Sequence, residues 1–205
     1  MAISRRVIEF MQAASWIRRM FEEGNELRRV HGPENVYDFS LGNPDLEPPR
    51  AFQEALEAVV HDPTPGLHRY MSNAGFPEAR ERVAGRVAST HGVDPRAEGV
   101  VLTVGAAGAL NVALKALLDP GSEVIVLAPY FPEYRFYIDN HGGRMVVVPT
   151  DDTFDLDVDA VAAALTPATR AIIVNSPNNP TGRVYSQERL DALGRLVDER
   201  APEAT

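Results

Sequence analysis

Cysteine is absent from the 205 residues. That excludes disulfides, thiolate nucleophiles and cysteine-ligated zinc or iron–sulfur centres. Lysine is nearly absent as well: of the 20 basic residues, Lys115 is the single lysine and the rest are arginine. A cationic surplus is also missing, since 29 Asp and Glu outweigh those bases and leave a formal net charge of −9. Phosphate neutralisation on duplex nucleic acid needs the opposite balance, and so does an anionic membrane surface. No apolar run nears the roughly 18 residues that span a bilayer. Glu9 interrupts Val7-Ile8-Glu9-Phe10 before it could serve as a secretory core, and Glu22, Glu23 and Glu26 spoil an organellar leader. A cytoplasmic protein without nucleic-acid or membrane partners is the expectation. The five histidines show no H-E-x-x-H or other ligand spacing, which leaves metal chemistry unsupported. Neither G-x-S-x-G nor S-x-x-K occurs, so a serine nucleophile has no motif.

What is present is ordinary globular material, 44% apolar and 24% charged. Ile3, Val7, Phe10, Ala14, Ile17 and Phe21 recur at three- and four-residue steps and predict a helix over the first thirty residues, ended by Gly24 and then Gly32-Pro33. Further helices are expected around Arg50–Val60 and Pro77–His91, with turn-rich chain before each. From Gly99 the pattern changes. Four short, β-branched runs (Val100–Val104, Glu123–Leu127, Met145–Val148 and Ala171–Val174) alternate with helical stretches at Ala107–Leu118, Glu133–Asn140 and Val158–Leu165, and a last helix spans Gln187–Arg200. Nearly continuous apolar runs joined by helical crossovers define an α/β fold: an open, largely parallel sheet with helices on both faces. Four strands make a modest sheet, so an open edge is expected.

In such sheets ligands bind beyond the carboxyl ends of the strands, and three strand ends carry unusual residues. Gly105-Ala106-Ala107-Gly108 offers free amides at a helix N-terminus, which suits an anion, or is simply a tight strand-to-helix turn. It is neither G-x-G-x-x-G nor a P-loop. Pro129-Tyr130-Phe131 could stack a ring on a planar ligand or form a satellite apolar cluster. In Asn175-Ser176-Pro177-Asn178-Asn179-Pro180-Thr181-Gly182, two prolines stiffen a turn whose asparagine amides either donate to a ligand at the rim or cap their own backbone. The acidic stretch Asp151–Asp157 reads as a solvated loop whose aspartates cap the following helix.

Taken in order, Ser40-Leu41-Gly42-Asn43-Pro44, Tyr70 with Gly75 and Pro77, Thr103–Leu110, Asp119-Pro120-Gly121, Ala128-Pro129-Tyr130-Phe131 and Asn175–Gly182 resemble the N-terminal half of the class I/II aminotransferases, the fold-type-I enzymes that depend on pyridoxal 5′-phosphate (PLP). The resemblance runs from about Tyr37 to Arg200. It implies a two-part organisation: residues 1–48 as an N-terminal arm and part of a small domain, and residues 49–205 as the N-terminal portion of the PLP-binding large domain, which is incomplete. It also implies roles. Ala106 and Ala107 would bind the cofactor phosphate through backbone N–H groups, at positions where the family often carries a hydroxyl or charged side chain. Phe131 would stack on the pyridine ring. Asn179 would donate to the ring's phenolic oxygen, beside the substrate. Tyr70 would reach the phosphate of a neighbouring subunit, which implies a homodimer. Gly42 would lie against the substrate carboxylate.

The implied reaction of a complete enzyme is amino-group transfer from an amino acid to a 2-oxo acid. The family's Schiff-base lysine, the acid on the ring nitrogen and the arginine that clamps the substrate carboxylate all lie beyond this stretch. No catalytic residue is therefore expected in it, and the chain alone is expected to be inactive. Lys115 is a poor substitute, because Leu110, Leu114, Leu117 and Leu118 form the buried stripe of its helix and Lys115 falls beyond the edge of that stripe. Other readings are a non-catalytic dimerisation or binding module, and another PLP enzyme of the same fold such as a β-lyase.

Overall fold

The run Glu123-Val124-Ile125-Val126-Leu127-Ala128 is apolar at every position after the first, which suits a strand covered on both faces. In the computed structural model, which describes residues 3–13, 15–37, 39 and 46–205, it forms the central strand β1 (Glu123–Ala128). Strand β2 (Arg144–Pro149) and strand β3 (Thr169–Ile173) flank it, both parallel to it, in the order β2-β1-β3. Ala128 lies opposite Pro149 and Val126 opposite Ile173, so all three strands deliver their carboxyl ends to one rim.

The pleat of β1 divides the core. Val124 and Val126 pack on one face with Leu114, Leu118, Tyr134 and Ile138. Those residues come from helix α5 (Gly105–Leu117), the turn after it and helix α6 (Tyr134–Asp139). Ile125 and Leu127 point the other way, to Val148, Leu156, Val161, Tyr185 and Leu193. Helix α7 (Val158–Ala164) and helix α8 (Gln187–Arg200) supply Val161 and Leu193. Side chains of a strand alternate between faces, so one six-residue run anchors both layers. Each fully buried aliphatic side chain here stabilises the fold by roughly 1.5–3 kcal/mol. At its amino end β1 carries a buried carboxylate, Glu123, which accepts from Thr166 Oγ1 at 2.7 Å and from the Arg144 guanidinium. The start of β2 and the connection that enters β3 are thereby tied to β1.

The chain divides into two units, residues 1–69 and 70–205. The first holds helix α1 (Arg5–Ala13), helix α2 (Ser15–His31) and helix α3 (Arg50–Val60). Gly24 does not end a helix as the sequence suggests. α2 runs through it, because an interior glycine costs only about 1 kcal/mol relative to alanine. The stop comes at Gly32, whose φ of +84° is open to glycine at little cost. The second unit begins with helix α4 (Pro77–His91), which starts and ends where the sequence predicts. Asp157 caps α7 by accepting from Ala160 N at 2.9 Å, as expected of the acidic loop.

Residues 100–104 correct one expectation. Their apolar run predicts a strand, yet they lie extended without a ladder partner, and the sheet has three strands rather than four among the described residues. Leu102 N donates to Ala74 O at 2.9 Å, and Val100 O accepts from Arg80 Nε at 2.8 Å. Apolar pattern favours extended backbone, but a strand exists only where a neighbour supplies the ladder. The outer edge of β3 also differs from a bare edge: Ile172 N donates to Thr205 O and Thr205 N to Arg170 O, at 2.8 and 3.0 Å.

Candidate functional site

Helix α5 reaches β1 through the turn Leu118–Ser122 and packs on it through Leu114, so it runs opposite to the strand. Thirteen helical residues rise roughly 20 Å, about the length of a six-residue strand. The first turn of α5 therefore stands at the same end as the strands' carboxyl ends. Gly105 opens it with φ +68°, a conformation that strains any residue with a Cβ. No side chain caps this helix start. Ala106 and Ala107 are exposed, and their methyl groups leave the approach to the backbone amides clear. A helix N-terminus with uncapped amides and no bulky side chain suits a phosphate in both charge and size.

The loop after β1 carries Tyr130 and Phe131, both half-buried against the α5-side cluster. Phe131 meets Tyr134 edge-on, with ring centroids 5.7 Å apart at 79°, the arrangement aromatic quadrupoles prefer. The Phe131 ring is thus held on one side by packing. The turn after β3 is held from several sides. Asn175 Oδ1 accepts from Asn179 N at 2.9 Å, Gly182 N donates to Asn178 O at 2.7 Å, and Ser176 Oγ accepts from Tyr185 N at 3.0 Å.

By residue type alone Asn178 and Asn179 are alike, and only the resemblance singles out Asn179; the structure separates them. Asn179 is exposed, and its side-chain amide has no hydrogen-bond partner among the described residues. Asn178 is buried, and its Nδ2 donates to Pro129 O and to Thr181 Oγ1, each at 3.0 Å. The first of these bonds joins the loop of Phe131 to the turn of Asn179 across 49 residues of sequence. The signal available beforehand was the doublet itself, since neighbouring residues of a tight turn rarely face the same way.

A second tie escaped the sequence reading entirely. Arg183 Nη2 donates to Asp155 Oδ2 at 2.8 Å and so fastens the turn after β3 to the loop after β2. That guanidinium, with a smaller contribution from the Leu156 amide, holds the Asp155 carboxyl below its ordinary value against the opposing effect of burial. Thr150 completes the rim by donating from N and Oγ1 to Ala128 O, at 3.2 and 2.9 Å. Because the folded chain keeps Asp155 ionised where the unfolded chain would protonate it, the tie contributes fully above the ordinary carboxylate value near 4 and is lost as pH falls below it. Denaturant unfolding of Arg183→Met across pH tests this. We expect the variant to be less stable than the parent by about 1–3 kcal/mol at neutral pH, with the gap closing below about pH 4. Parallel curves for the two proteins would show that the pair carries no linkage.

Three further positions complete the comparison with the sequence. Tyr70 is wholly exposed within its unit. Gly42 lies outside the described residues. Lys115 is exposed near the carboxyl end of α5, ten residues or roughly 15 Å along the axis from Gly105. Among the described residues no three His, Asp or Glu gather as a metal site, and no helix is long and apolar enough to cross a membrane.

An open parallel sheet with an uncapped helix N-terminus, an aromatic loop and an asparagine turn at its carboxyl rim defines an α/β class. The sequence matches the family described as aminotransferase class I and II over residues 34–201. The chain belongs to that family, whose cofactor is PLP. It is 41% identical over 162 residues to the aspartate/prephenate aminotransferase of Thermus thermophilus, a match covering 78% of this chain and 41% of that protein. To the aspartate aminotransferase of Geobacillus stearothermophilus it is 32% identical over 198 residues, covering 96% of this chain and 49% of the relative. A solved aminotransferase from Eubacterium rectale superposes with a TM-score of 0.92 at 37% identity, covering 99% of this chain and 52% of that one. The chain thus spans about half the length, or less, of these relatives, and its sheet is an incomplete form of their fold.

Proposed function

We propose that the chain is the N-terminal portion of a PLP-dependent aminotransferase, in which it holds the phosphate and ring side of the cofactor site. The amides of Ala106 and Ala107 bind the phosphate, Phe131 covers one face of the ring, and Asn179 donates to the phenolic oxygen. Gly42 and Asn179 border the substrate, and Tyr70 extends to the phosphate in a second subunit of a homodimer. When bound, PLP supplies an electron sink for moving an amino group from an amino acid to a 2-oxo acid. The chain's own contribution is to bind and orient: helix-terminal amides hold the anion, the aromatic ring fixes the plane, and the asparagine amide polarises the oxygen. The 205 residues include no lysine placed to carry the cofactor, so the chain alone is a cofactor-binding portion and not a catalyst. The observation that supports this reading is the bond from Asn178 to Pro129 O, which joins the loop of Phe131 to the turn of Asn179 beyond the carboxyl ends of β1 and β3.

Ala106→Glu tests it. An acidic residue in the first turn favours a helix, so folding is retained, while its carboxylate repels a phosphate. Equilibrium dialysis is expected to show reversible binding of PLP to the parent chain, at least tenfold weaker binding to the variant (about 1.4 kcal/mol), and far weaker binding of pyridoxal. Equal affinity of parent and variant for PLP, or of the parent for PLP and pyridoxal, overturns the proposed phosphate site.

A further inference from the structure

Asparagine is seldom buried, and a buried amide stays so only where its hydrogens are used. Asn178 is 6% exposed, and its Nδ2 donates to two acceptors, Pro129 O and Thr181 Oγ1, each at 3.0 Å. Its main chain is fixed as well: Asn178 N donates to Arg183 O at 2.8 Å, and its carbonyl accepts from Gly182 N at 2.7 Å. The residue is therefore immobile with respect to the turn that presents Asn179, its immediate neighbour. Pro129 lies two residues before Phe131, at the start of the loop that leaves β1.

From this geometry we infer that Asn178 is a positioning residue, setting the spacing between the Phe131 ring and the Asn179 donor so that both address one planar ligand. The inference rests on the cofactor site proposed above. Asn178 does not itself face the ligand, because both of its amide hydrogens are spent on the protein. Its contribution is preorganisation: two loops whose separation is fixed before binding lose little freedom when the ligand arrives. A shift of about 1 Å in such a group is enough to cost orders of magnitude in function.

Asn178→Asp tests this with almost no change in volume, since it replaces the donor with an oxygen that faces the Pro129 carbonyl. Asn178→Ala serves as the second variant. Amide hydrogen exchange and PLP dialysis are measured on the 205-residue chain. Exchange is expected to accelerate at least tenfold at Tyr134 and Thr150, whose amides donate to the Phe131 and Ala128 carbonyls of the loop, and at Asn178, Asn179, Gly182 and Arg183 in the turn, while Val124–Leu127 in β1 keep the parent rate. PLP is expected to bind at least tenfold more weakly. Unchanged loop exchange in both variants overturns the inference. Equal acceleration in β1 does so too, since Asn178 would then merely hold the fold together. Weaker PLP binding in Ala106→Glu but not in the Asn178 variants refutes the positioning role and leaves the cofactor reading standing. Local loosening with PLP affinity unchanged in all three variants refutes the cofactor reading, and the role toward the ligand falls with it.

Discussion

Replacing Ile125 with alanine is expected to remove about 2–5 kcal/mol of folding stability. The side chain is fully buried in the middle of β1, on the α7–α8 side of the sheet, among Leu127, Val148, Leu156, Val161, Tyr185 and Leu193. Those neighbours come from two strands, two helices and two loops, so they cannot all collapse into the space left by three lost carbons. The cost includes both the lost transfer energy and the residual cavity. Among the described residues few large side chains are as completely enclosed: Val124, Val126, Ile138, Leu156 and Val161 are the others. With so few anchors, and with small domains typically stable by only about 5–15 kcal/mol, one such loss is a large share of the total. Urea unfolding followed by circular dichroism gives the measurement. A loss below about 1 kcal/mol, smaller than buried isoleucine truncations give, would mean that the two layers do not close around β1 as described.

Mixed with PLP, an amino acid and a 2-oxo acid, the chain alone is expected to give no transamination above that of the free cofactor. Borohydride reduction is expected to mark Lys115 no faster than a lysine in an unstructured peptide. Both follow from where the single lysine stands. Lys115 is exposed near the far end of α5, roughly 15 Å along the axis from the turn proposed to hold the phosphate. Its four-carbon stem does not reach back over that distance. Lys115 is exposed, so burial, one usual means of activating an amine, does not act on it. Enzymes accelerate their reactions by roughly a millionfold or more, so presence and absence of catalysis are far apart in such an assay. Saturable labelling of Lys115 by PLP, or turnover abolished by Lys115→Arg, would contradict the expectation.

Local pattern carried much of the fold. The bounds of α3, α4 and α8 follow from apolar spacing and from proline or serine at the start, as with Pro77 in α4 and Ser186 before α8. The three paired strands read directly from their β-branched runs. Residues 100–104 did not, because extended backbone becomes a strand only when another strand lies beside it. Gly24 misled in the opposite sense: a weak breaker was overridden by the helix around it.

The candidate site divides along the same line. Residue type and order alone mark the Gly105–Gly108 helix start, the aromatics after β1 and the asparagine turn after β3, since each needs special backbone or special side chains locally. Which asparagine turns inward is a matter of tertiary structure, for the Pro129 carbonyl that accepts from Asn178 lies 49 residues away in sequence. The Arg183–Asp155 tie spans 28 residues and is equally invisible in sequence. By itself the sequence determined the strands, the helices and the chemistry available at the strand ends. Only the folded chain decided which polar groups are spent on holding the rim together and which are left facing outward, because a hydrogen-bond partner is chosen by proximity in space, and one strand's pleat and two crossovers set that proximity here.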